Sequence, residues 1–144
     1  MAPHFEHVRR PVELLKRLGR LLNPRGFLGI EVPNVDDALL SVYKVPAFAP
    51  FYYQDAHLWY FSGDTLARAV RRAGLAPEVA WLQRYDLSNH LQWLGSGTAG
   101  GKGRYARLFG PAVDASYAES LCRSRVSDTL WTVARPDAAP LETP

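Results

Sequence analysis

The sequence predicts an α/β fold, and three observations lead to it: an amphipathic helix that turns tightly into a short apolar strand, a second capped helix followed by another strand, and a last strand near the chain's end. Across residues 11–22, Val12, Leu14, Leu15, Leu18, Leu21 and Leu22 recur at three- and four-residue steps, with Glu13, Lys16, Arg17 and Arg20 between them. That is the period of a helix with one apolar face. Pro11 suits the first turn, where its missing N–H costs nothing, and Asn23-Pro24-Arg25-Gly26 ends the helix. Phe27-Leu28-Gly29-Ile30-Glu31-Val32, closed by Pro33-Asn34, has the length and composition of a buried strand.

Residues 36–55 carry Tyr43, Pro46, Phe48, Pro50, Phe51, Tyr52 and Tyr53, a composition that predicts an irregular excursion or short helix covering a pocket. Ser62 is a good N-cap with Asp64 in the first turn, and the stripe Leu66, Ala69, Val70, Ala73 stops at Gly74, which predicts a helix over 63–73. Residues 77–85 form a strand of imperfect alternation, 95–103 a glycine-rich loop, 112–123 a weaker helix and 127–134 the last strand. One domain over residues 1–135 is expected, with a disordered proline-bearing tail over 136–144.

Composition narrows the function. A hydrophobic fraction of 47% and a charged fraction of 22% are those of a soluble globular chain, and no apolar run approaches the roughly 20 residues of a membrane span. The first residues lack the basic start and apolar stretch of a secretory signal, so a cytoplasmic location is expected. The single cysteine, Cys122, has no Cys/His neighbours at zinc spacing and is expected to be structural. A net charge of +3 spread over scattered arginines gives no basic block, so neither nucleic acid nor membrane is an expected partner.

Gly95, Gly97 and Gly100 spell G-x-G-x-x-G, but Lys102-Gly103-Arg104 follows where a dinucleotide site needs a helix N-terminus. His4 and His7 stand three apart without an evident third ligand, and no metal site is expected. The chain has no Gly-x-Ser-x-Gly elbow and no cysteine–histidine pairing, which leaves hydrolase chemistry without a foothold.

Taken in order, several segments resemble the later part of a class I S-adenosylmethionine-dependent methyltransferase. Phe5-Glu6-His7-Val8 followed by Pro11 resembles the "leu-glu-his-val, x, x, pro" stretch after the fourth strand, and Leu21-Leu22-Asn23-Pro24-Arg25-Gly26 the "leu-leu-x-pro-gly-gly" turn into the fifth. Ile30-Glu31-Val32-Pro33-Asn34 is similar to that strand's end, and His57-Leu58-Trp59-Tyr60-Phe61-Ser62 to the "his-x-x-x-phe-ser" start of the next helix. Gln83-Arg84-Tyr85, Asn89-His90 and Ser127-Asp128-Thr129-Leu130-Trp131 resemble the sixth and seventh strand regions of a bacterial subset. Arg25 replaces the family's glycine, and Lys102 stands where related chains often carry histidine.

The resemblance implies the C-terminal half of a Rossmann-like methyltransferase sheet, with strands five, seven and six side by side between flanking helices. The family's acidic-x-Gly-x-Gly-x-Gly cofactor turn has no counterpart before Phe5. The resemblance therefore implies S-adenosylmethionine as cofactor while its main binding motif is absent, and a chain expected to be inactive alone. It also implies an open edge on the first strand, able to pair with an N-terminal methyltransferase half or with a second copy. The acceptor would be a small molecule, with His7 as the catalytic base and Asn34, Tyr53, His57, Tyr60, Asn89 and His90 lining its site. The alternative expectation is a truncated, non-catalytic binding or scaffolding module.

Overall fold

The computed structural model describes residues 5–137. A one-turn 3-10 helix, Phe5–His7, leads into helix α1 (Pro11–Gly19), strand β1 (Leu28–Pro33), short helices α2 (Ala38–Ser41) and α3 (Phe48–Tyr52) and helix α4 (Gly63–Arg72). Strand β2 (Leu75–Leu82), helices α5 (Leu87–Ser96) and α6 (Ala106–Arg123) and strand β3 (Thr129–Pro136) complete the order. The strands form one sheet in the order β1-β3-β2, with β3 antiparallel to both neighbours. Segments 27–32, 127–134 and 77–85 were expected in that spatial order. None of the helices among the described residues is long and apolar enough to cross a membrane.

Local chemistry sets each boundary. Helix α1 stops at Gly19, short of the expected Leu22, and Leu21 stands 81% exposed outside the stripe. The reversal is held at Asn23, whose side chain accepts from the Arg25 N–H and whose carbonyl accepts from the Gly26 N–H. Ser62 and Thr65 cap α4 reciprocally, each side-chain oxygen accepting from the other's backbone N–H, a threonine form of the capping box. Gly74, with φ +77°, reverses the chain straight into β2, which therefore begins at Leu75. Strand β2 ends at Leu82 because the next N–H groups, of Arg84 and Tyr85, donate to the Asp128 carboxylate.

Other expectations need correction. Residues 87–94, which the apolar pattern left unassigned, and the first two of the expected loop form helix α5, capped by Asp86 at its start and by Gly97 in the left-handed region at its end. Gly95 and Ser96 thus belong to a helix, and the loop is shorter than expected. Helix α6 begins at Ala106 and is broken at Gly110 before Pro111 starts its regular part. Strand β3 begins two residues later than expected, since buried Ser127 and Asp128 spend their side chains on turns. Pro136, placed in the expected tail, ends that strand, and the rest of the tail from residue 138 lies outside the described residues.

The main core lies between the sheet and helices α1 and α4: Leu15, Ile30, Val32, Leu66, Val70, Leu75, Leu130 and Ala134, joined by Phe5 and Phe61. A second cluster of Leu39, Val45, Phe48, Tyr52 and Trp93 packs α2 and α3 against α5. The aromatic excursion therefore closes an apolar cluster of its own, and Tyr60 packs on its border.

Candidate functional site

The N-terminal turn and the loop before α4 meet at one corner, fixed mostly by backbone. The carbonyl of Glu6 accepts from the N–H groups of Leu58 at 2.9 Å and Trp59 at 3.2 Å, and the Trp59 indole N–H donates to the Val8 carbonyl at 2.8 Å. Phe5 is buried and stacks on Phe61, ring centroids 5.5 Å apart. Phe61 in turn pairs with Asn34 in an isolated parallel bridge just beyond β1, and its carbonyl accepts from the Val35 N–H. The corner therefore hangs on the C-terminal end of a sheet strand, where α/β sheets commonly place ligands.

These attachments bring together Glu6, His7 and His57. His7 Nδ1 lies 2.6 Å from the Ala56 carbonyl, which can only accept, so Nδ1 carries a proton. His7 Nε2 faces Glu6 Oε1 at 3.5 Å, and His57 Nε2 approaches the same oxygen at 4.0 Å. The two imidazole rings meet edge to face at 4.8 Å. One ligand atom from each of the three residues lies within 4.8 Å of the others. Glu6 is 8% exposed, and its Oε2, like Nδ1 of His57, is buried without a hydrogen-bond partner.

Aromatic rings extend the corner outward. His57 lies 5.6 Å from Tyr60, and Tyr60 lies 4.9 Å from the exposed Tyr53. The Tyr60 hydroxyl accepts from the Gln54 N–H at 2.7 Å and donates to the Gln54 carbonyl at 3.1 Å, which fixes its ring as a wall. Four expected site residues, His7, His57, Tyr53 and Tyr60, are thus contiguous.

The other three have structural work. Asn34 is fully buried, donates to the carbonyls of Arg125 and Ser127 and accepts from the Asp36 N–H, so it ties β1 to the approach of β3. Asn89 donates to the Gly100 carbonyl at 2.6 Å and closes the glycine loop onto α5. His90 is buried with Nδ1 2.6 Å from the Tyr117 hydroxyl and Nε2 3.2 Å from the Gln83 amide. Burial holds its imidazole down to about 4, against a smaller opposing pull from Asp86. Each of the three makes at least one side-chain hydrogen bond to another part of the fold.

Sequence reasoning passed over Glu6 as a site residue, and also Asp37. Asp37 is 3% exposed and caps α2, its Oδ1 accepting from the Leu39 N–H at 2.7 Å. Burial pushes its carboxyl up to about 7, the Leu39 hydrogen bond opposes, and nearby Asp128 adds to the rise. Asp128, also raised by burial, accepts from Arg84, Tyr85 and Thr129. Nothing in the local spacing distinguishes these acids from solvated ones.

Among the described residues, the glycine loop does not form a cradle for S-adenosylmethionine. The glycine loop follows α5 and not a strand, Asn89 closes it, and a Cβ on Gly101 would stand 2.5 Å from Gln92. The frame is a mixed α/β domain with a histidine–carboxylate corner at a strand end. The methyltransferase domain family matches residues 4–78, just over half of the chain, and the chain belongs to that family. The whole Glu6–His7–His57 corner lies inside the matched span, whereas Asn89 and His90 lie beyond it. No curated protein matches the chain.

Proposed function

We propose that this chain supplies the acceptor side of an S-adenosylmethionine-dependent methyl transfer, with β1, β3 and β2 in the places of the family's fifth, seventh and sixth strands. The observation that carries the reading is the convergence of Glu6, His7 and His57 at the end of β1, within the span matched by the family. The Ala56 carbonyl holds the proton on Nδ1 of His7 and leaves Nε2 as the basic atom. A small acceptor seated against Tyr53, Tyr60 and His57 presents its O–H or N–H to that nitrogen. Nε2 takes the proton, and Glu6, 3.5 Å away, balances the imidazolium formed. A positioned base of this kind contributes roughly 100- to 10,000-fold to a proton-coupled step.

The cofactor's grip comes from an N-terminal methyltransferase half paired on β1, an edge of the sheet that a second copy could also occupy. The glycine loop's place between two helices supports the alternative of a non-catalytic binding module. Two measurements on the purified chain decide. Titration calorimetry with S-adenosylmethionine is expected to show no binding by the folded chain alone. Phenol, benzoate and benzylamine, added as acceptor-like probes, are expected to shift the NMR signals of the His7 and His57 rings. Micromolar cofactor binding by the chain alone, or probes that leave both rings unmoved, refutes the reading.

A further inference from the structure

We propose that Glu6, His7 and His57 form a binding site for a divalent transition-metal ion, zinc before magnesium or calcium. The first argument is convergence: the Nδ1 contact to the Ala56 carbonyl orients the His7 ring so that Nε2 lies 3.5 Å from Glu6 Oε1.

Two further observations favour the ion. A third ligand atom, Nε2 of His57, approaches the same carboxylate oxygen at 4.0 Å, which a proton shared by His7 and Glu6 does not require. The second oxygen of Glu6 is buried and has no hydrogen-bond partner, so a single imidazolium leaves half of a buried carboxylate unsatisfied. The His7–Ala56 hydrogen bond is the outer-shell contact that metal-binding histidines commonly make, fixing tautomer and ring orientation together.

The spacing suits a first-row ion. Zinc holds nitrogen and carboxylate oxygen at about 2.0–2.2 Å, which puts tetrahedral ligand atoms roughly 3.3–3.6 Å apart. The two separations are 3.5 and 4.0 Å, and one ligand atom from each residue lies within 4.8 Å of the others. Nδ1 of His57 carries no hydrogen bond that opposes ligation through Nε2. Two imidazoles and one carboxylate select against magnesium and calcium, which favour sets made of oxygen. With the ion bound, His7 is a ligand and the metal takes over the loosening of an acceptor's proton. That use rests on the acceptor-side reading above, whereas the binding itself does not.

The test is zinc titration of the full chain against a chromophoric chelator, repeated with cobalt and followed by visible absorption. One zinc per chain is expected, undisturbed by excess magnesium, with cobalt bands of a low-coordinate nitrogen–oxygen site. Glu6→Gln, His7→Gln and His57→Gln should each weaken zinc by at least the roughly 10- to 100-fold that loss of an outer-shell partner costs. Circular dichroism without metal confirms that each variant is folded. A folded chain that takes up no zinc overturns the proposal, and so does binding that survives His57→Gln, the mark of a His4–His7 tail site. A thiolate-to-cobalt charge-transfer band overturns it as well, because it assigns the metal to Cys122. Zinc binding with unmoved acceptor probes sinks the acceptor reading alone.

Discussion

Replacing Asp37 by asparagine should stabilise the protein at neutral and alkaline pH while leaving it unchanged in acid. Asp37 is 3% exposed, and burial pushes its carboxyl from an ordinary 3.8 up to about 7. The folded state therefore keeps a proton that the unfolded chain has already lost, and stability falls as pH rises between those two values. At about 1.4 kcal/mol per pH unit, a rise of this size removes up to about 4 kcal/mol by pH 8. Asparagine keeps the oxygen that accepts from the Leu39 N–H and stays neutral at every pH. The variant should match the parent near pH 4 and exceed it near pH 8 by up to about 4 kcal/mol, on the order of 10 °C in Tm. Urea melts at the two pH values measure this. A variant that is no more stable at pH 8, or a gain of the same size at both, refutes the argument that a buried carboxylate charge is the cost. The parent alone hides the effect, because His90 acts oppositely: its folded value near 4 lies below the ordinary 6.5, so its contribution rises with pH across that window.

His90→Leu should remove that acid-side rise and also delete one hydrogen bond each from the Tyr117 hydroxyl, which keeps Tyr43, and the Gln83 amide, which keeps the Tyr85 carbonyl, a loss of about 1–3 kcal/mol at pH 7 by urea melt. Ser62→Ala should cost about 1 kcal/mol, since it deletes the acceptor of the Thr65 N–H at the start of α4. Thermal unfolding at neutral pH reads that loss, and an unchanged Tm would mean that the cap is replaced by solvent.

The strands and the two amphipathic helices were legible because burial imposes a period: β1 and α4 begin and end within a residue of the expected bounds. Helix α5 was not, although Asp86 and Gly97 punctuate it at both ends, because polar Ser88, Asn89 and His90 are buried where an apolar stripe would signal a helix. The site was half legible. His7 and His57 stand out as residue types, but the contact that unites them spans fifty residues of chain and is made by the Glu6 carbonyl accepting from Leu58 and Trp59. Backbone groups are common to every residue, so no side-chain pattern announces such a contact. Asn34, Asn89 and His90 show the converse: a polar residue looks the same in sequence whether it faces a ligand or ties two segments together, as these three do.

That division of labour bears on how the corner is to be probed. The frame around Glu6, His7 and His57 rests on the Phe5–Phe61 stack, the Asn34–Phe61 bridge, the Trp59 indole bond to Val8 and the two bonds to the Glu6 carbonyl. None of these uses the side chains of Glu6, His7 or His57, whereas the His7 bond to Ala56 does. Truncating a buried charge that is paired with its neighbours commonly destabilises, but Glu6 already leaves one oxygen unpaired, so its loss relieves a desolvation cost as well as removing a partner. Glu6→Gln and His57→Gln therefore change the chemistry of the corner more than its position. A functional defect in either variant, with the fold intact, belongs to the side-chain constellation and not to a displaced loop.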